Sequence, residues 1–111
     1  MSETLQHLIT GRGFDAYRAD LERRYRANGL RYLIHYGQPP SFSLLVRLES
    51  EERIGELCAW ESGDCEVQLA AFKDEEKDIR SIHHRLNSGE ELHARLAEVF
   101  RFVAKNETAH E

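Results

Sequence analysis

Two cysteines, two prolines and one tryptophan are all that these 111 residues hold of those types, and each shortage excludes something. Cys58 and Cys65 are too few for a disulfide scaffold, and their spacing is not the paired one of a structural zinc site. The prolines are adjacent, Pro39-Pro40, which leaves no room for a proline-rich linker. Nowhere do eighteen apolar residues follow one another, and no early apolar run has a basic segment before it. Neither a membrane-spanning helix nor a secretory leader is therefore expected. With 41% hydrophobic and 32% charged residues, the composition is that of an ordinary folded chain. The expectation is one soluble domain over 1–111, with 1–12 and 106–111 peripheral, kept in a reducing, cytoplasmic compartment.

What the chain has in abundance is acid in its middle. Between Glu49 and Asp78 eleven carboxylates face only Arg53, Lys73 and Lys77, a local balance of −8 in a protein of net charge −5. Residues 1–48 carry +3 and residues 79–111 carry zero. Concentrated charge of one sign speeds association with a partner of the other sign and repels a phosphate backbone. The plainer reading is a solvated surface that keeps a small protein soluble.

Hydrophobic periodicity outlines the elements. Leu5, Leu8 and Ile9 form a short apolar stripe ending at Gly11-Arg12-Gly13. Phe14, Tyr17, Leu21 and Tyr25 then recur every three or four residues, an amphipathic helix closed by Asn28-Gly29. Strands are expected at 30–36 and 42–48, separated by a Gly37-Gln38-Pro39-Pro40 turn. A hairpin follows at 53–60 and 64–72. A three-residue loop Glu61-Ser62-Gly63 pairs Ala59 with Cys65 and collects Leu57, Ala59, Cys65, Val67 and Leu69 on one face. That register sends Cys58 and Cys65 to opposite faces, where they cannot be bridged. Residues 74–78 read as a charged turn and 79–87 as a fifth strand. Ser88 with Glu91 is a capping box opening a helix to about residue 105 along Leu92, Leu96, Val99 and Val103. The fold class is α+β: a five-stranded, mostly antiparallel sheet with N- and C-terminal helices packed on one face.

No catalytic residue, cofactor motif or metal set is assigned. His83 and His84 are strand neighbours that point to opposite faces, and Cys65 lies in an apolar row where a thiol is packing. Gly11-Arg12-Gly13 neither follows a strand nor completes a phosphate loop. Arg18, Arg23, Arg24 and Arg26 near Tyr17 and Tyr25 raise nucleic-acid binding, but Asp15, Asp20 and Glu22 interleave with them, so no nucleic-acid partner is expected.

The outer sheet face carries Trp60 among Glu56, Glu61, Asp64, Glu66 and Gln68. A large aromatic rimmed by carboxylates has the composition of a protein-binding hot spot for a basic partner. Three alternatives compete with it. Trp60 could pack over a strand end as ordinary structure. His83, His84 and Glu56 could serve a small ligand-binding domain or enzyme. A homodimer could bury the outer face against itself.

The run from Ile54 to Leu69, with its Trp60-Glu61-Ser62-Gly63 hairpin and Cys65, resembles the central segment of the TriTu family of immunity proteins from bacterial polymorphic toxin systems. His83-His84 followed by Glu90-Glu91-Leu92 resembles that family's C-terminal part, and Phe14 to Leu30 is similar to its leading helix. The resemblance spans about residues 14–103. It implies a dedicated inhibitor that binds a basic C-terminal toxin domain encoded by the adjacent gene. Such toxins, often Rhs-type or delivered by type VI secretion, include nucleases and ADP-ribosyltransferases. Residues before Phe14, the Pro39-Pro40 loop and Glu56 depart from the family pattern.

Overall fold

A computed structural model describes residues 4–37, 42–73 and 76–104. The elements run α1 (Leu5–Ile9), α2 (Asp15–Ala27), β1 (Arg31–Gly37), β2 (Ser43–Glu49), β3 (Arg53–Trp60), β4 (Asp64–Lys73), β5 (Glu76–Arg85) and α3 (Gly89–Ala104). The five strands form one antiparallel meander in the order β1-β2-β3-β4-β5. Short connections impose that order, because a crossover to a parallel neighbour needs a dozen residues or more.

Alternation along the strands sets the two faces. In β2, Leu44, Val46 and Leu48 are buried while the intervening residues are not, and β3 buries Gly55, Leu57 and Ala59 in the same way. Leu92, Leu96, Val99 and Val103 of α3 lie in the core with them, as the three- and four-residue spacing requires. Gly55 sets how closely this helix can approach. A Cβ there would come within 2.7 Å of a Val99 methyl and 2.8 Å of a Val103 methyl, so the helix seats on bare backbone.

The hairpin takes the three-residue form. Ala59 pairs with Cys65, Gly63 has φ +105°, and its amide donates to the Trp60 carbonyl at 2.9 Å. Both cysteines are free thiols, on opposite faces. At the start of α3 the Glu91 amide donates to Ser88 Oγ at 3.2 Å. The Glu91 carboxylate accepts from the Asn87 amide at 2.7 Å, one residue before the position a capping box would use.

Two expectations are corrected. Of segment 1–12, expected to be peripheral, the described part is not, because Leu5, Leu8 and Ile9 of α1 belong to the core cluster beside Phe14. A stripe of three apolar residues is too short to show its destination in sequence. The charged stretch 74–78 is also not a turn as a whole, since β5 begins at Glu76 and its ladder pairs Lys73 with Glu76 and Ala71 with Asp78. At a sheet edge, charged side chains reach water from a strand as readily as from a loop. Residues 38–41, 74–75 and 106–111, where turns and a terminal tail are expected, lie outside the described residues.

Leu96 is 4% exposed within the helix–sheet layer, and Leu96→Ala is expected to lower unfolding free energy by about 2–5 kcal/mol in chemical denaturation. Gly55→Ala is expected to remove about 1–3 kcal/mol in the same assay, by pushing on two β-branched side chains that have little freedom to yield. Burial pushes the Tyr25 phenol up to about 12 from 10.0, with Arg24 opposing it. A raised folded-state value means this contribution to stability is complete below about pH 10 and is lost as pH rises through about 12. In alkaline titrations of unfolding, Tyr25→Phe is expected to flatten part of the decline over that window.

Candidate partner-binding site

With α3 lying across β2, β3 and β4 from one side, no helix of the described residues covers the opposite sheet face. Its rows follow from the register. Ser43 of β2 pairs with Trp60, Cys58 with Glu66, and Glu66 in turn with His83. The next row brings Arg47, Glu56, Gln68 and Ser81 side by side. At the hairpin end of this face an open concavity of about 530 Å³ is lined by Phe42, Trp60, Glu61, Ser62, Asp64, Glu66 and His83.

Four of the six residues expected at the site, Trp60, Glu61, Asp64 and Glu66, therefore meet around one hollow. Glu56 and Gln68 pair with each other one row away and flank it without lining it. Trp60 is half-buried, more enclosed than a hot-spot aromatic left standing in water. Phe42, which also packs against the core, shares the hollow with it.

The carboxylates are held in place by their neighbours. Asp64 accepts from Arg85 Nη1 at 3.1 Å and from Ser62 Oγ at 3.3 Å, and His83 Nε2 lies 3.6 Å from it. Glu66 sits 4.0 Å from the same imidazole and accepts from Ser81 Oγ at 3.5 Å. Glu61 accepts from Thr10 Oγ1 at 2.9 Å, which ties the loop to the end of α1. The outer face is accordingly less negative than the −8 of the central segment. β5 contributes Arg85, and Arg47 stands opposite Glu56. The acid is concentrated at the hollow, not spread over the face.

His83 and Arg85 are site residues that the acidic-patch reading overlooked. Odd-numbered positions of the last strand share one face, so the alternation of Ser81, His83 and Arg85 was a usable signal once β5 paired with β4. The rival constellation does not assemble: His83 faces the hollow, His84 pairs with Cys65 on the inner face, and Glu56 lies in another row. Among the described residues no group of three His, Cys, Asp or Glu side chains is placed to hold a metal ion. Nor is any helix long and apolar enough to cross a membrane.

The arginines of α2 are engaged locally and do not reach the acidic strands. Arg23 pairs with Asp20 at 2.7 Å, Arg18 with Glu22 at 3.5 Å, and Arg26 donates to the Tyr32 hydroxyl at 2.8 Å.

Neither thiol is poised for nucleophilic attack. Burial pushes Cys65 up to about 11, helped by Cys58 and Glu66 and opposed by Arg95. Burial and then Glu56 and Glu66 raise Cys58. Because the thiolate is the reactive form, alkylation at pH 7 is expected to be slow at Cys58 and to reach Cys65 only on unfolding. Mass-spectrometric labelling with and without denaturant measures both.

No curated protein and no solved structure matched the chain. The family described as Immunity protein TriTu matches residues 13–102, from the turn before α2 to the last turns of α3, and includes all six residues expected at the hollow. The chain belongs to the TriTu immunity-protein family.

Proposed function

We propose that the protein neutralises a cognate toxin domain by binding it stoichiometrically, with the Trp60 hollow as the anchor point. The observation that carries this reading is the convergence of Trp60, Phe42, Glu61, Asp64 and Glu66 on the sheet face that no helix of the described residues covers. An aromatic floor with carboxylates around it suits a lysine or arginine side chain, which gains from the ring face and the negative rim together. The partner in this reading is a basic C-terminal toxin domain encoded by the adjacent gene, a nuclease or an ADP-ribosyltransferase. The protein would meet it in the cytoplasm of the producing cell. Rhs-type polypeptides and type VI secretion are the delivery routes that fit such a toxin.

Inhibition here requires no chemistry from the immunity protein. Binding energy would concentrate on Trp60, while Glu56, Gln68 and Arg85 at the margin would set orientation and partner choice. The ion pairs already formed by Asp64 would be exchanged for partner contacts, so charge would contribute more to the rate of encounter than to final affinity.

Titration of the purified protein with the toxin domain encoded beside it tests the proposal. A one-to-one complex is expected, with Trp60→Ala weakening affinity by about 2 kcal/mol or more. Since Trp60 is half-buried, unfolding must be measured on the same variant. A variant that loses several kcal/mol of stability yet binds normally once folded assigns Trp60 to structure alone. Charge reversal at Glu66 is expected to slow association, and raising salt from low to physiological strength is expected to narrow the gap to wild type. No complex, or an association rate indifferent to salt, sinks the reading.

A further inference from the structure

The sheet ends at β5, against whose outer edge no other strand of the described residues is laid, and this strand has an unusual symmetry. The Leu86 amide donates to the Gly63 carbonyl at 2.7 Å, one step beyond the Asp64–Arg85 pair. Bonding alternates along an antiparallel ladder. Even-numbered residues of β5 therefore turn their backbone groups toward β4, and those of Ile79, Ser81 and His83 project from the free edge. Ile79 is 66% exposed, the most exposed of the large hydrophobic residues described. It stands on the outer face between Asp78 and Arg80 on the inner. Among the described residues none hydrogen-bonds or ion-pairs with the side-chain carboxylate of exposed Asp78. Arg80 holds its guanidinium 5.6 Å over the Phe102 ring, at the rim where α3 stops covering the sheet.

We infer that β5 pairs antiparallel with β5 of a second copy about a two-fold axis at Ile79, joining two five-stranded sheets into one. The axis sets Ile79 opposite Ile79 of the other copy, the two exchanging amide–carbonyl bonds while the side chains cover each other. Residue 78 of each strand then opposes residue 80 of its mate, giving two Asp78–Arg80 pairs on the inner face, related by the axis. Side chains directly opposite in such a ladder are close enough to interact, and like charges there repel. Moving the axis one residue toward the N-terminus sets Asp78 against itself, and one residue toward the C-terminus sets Arg80 against itself. Charge thus selects this register as well as tolerating it. An isologous contact of this kind closes at two copies, so the edge is satisfied without open-ended growth.

The two-fold runs perpendicular to the sheet, so both Trp60 hollows would lie on the same side of the joined sheet and remain open. The self-pairing does not rest on the toxin-binding reading.

Sedimentation of the intact chain across the micromolar range tests the inference, with circular dichroism to confirm folding of each variant. Wild type is expected to shift from monomer to dimer with concentration. Asp78→Arg and Arg80→Asp alone are each expected to weaken the dimer at least tenfold, and the double exchange to restore it. Ile79→Lys is expected to abolish it, and Trp60→Ala to leave it unchanged. Amide exchange at residues 79 and 81 is expected to slow as concentration rises. A monomer at every concentration overturns the inference, as does a dimer insensitive to both single reversals. Protection of the β5 amides that arises only when the toxin domain is added also overturns it, since the edge would then take a strand of the toxin.

Discussion

Burial on one side only is the constraint from which the rest of this structure follows. Strand side chains alternate, so a five-stranded sheet has two faces to satisfy, and among the described residues helices cover one. Leu92, Leu96, Val99 and Val103 meet Leu44, Val46, Leu57 and Ala59, and Gly55 lets α3 close to van der Waals distance. α1 and α2 fill the end of the same layer with Leu8, Ile9, Phe14 and Tyr25. Among the described residues no helix covers the second face, where Trp60 stands with polar residues and with Leu33, Leu45, Ile54 and Ile79.

Charge on that surface is organised by strand pairing and not by sequence proximity. The acidic run from Glu49 to Asp78 passes through β3, β4 and their loops, but its neighbours in space are β2 and β5. These bring Arg47 against Glu56 and Arg85 with His83 against Asp64. What remains negative is local, at the Trp60 hollow. In the proposed reading, such an arrangement would steer a cationic group of the partner to one spot, which favours orientation over indiscriminate attraction.

The same pairing explains why two kinds of chemistry are disfavoured here. His83 and His84 cannot act together because adjacent strand positions look to opposite faces, and the thiols are separated by the thickness of the sheet. Burial raises both sulfur groups away from the thiolate form. The side chains that do converge are an aromatic pair and carboxylates, with Ser62 and His83 beside them, and rings rimmed by carboxylates bind cations well.

Much of this was legible in the residues alone. Period-two alternation identified the strands, three-and-four spacing identified α2 and α3, and Gly63 at the third loop position selected the hairpin register that put Trp60 with Asp64 and Glu66. These are local requirements of backbone geometry, so nearby residues determine them. The start of β5 was not legible, because a charged edge strand and a charged turn have the same composition. Nor was the docking of α1, whose three apolar residues find their place only when Phe14 and the sheet close around them. Which cations temper the acids, how deeply Trp60 sinks, and that Thr10 reaches Glu61 depended on contacts between distant segments. Local preference decides what each stretch can become; only the packed sheet, by choosing neighbours 21 and 51 residues apart as with Asp64–Arg85 and Thr10–Glu61, decides what each side chain meets.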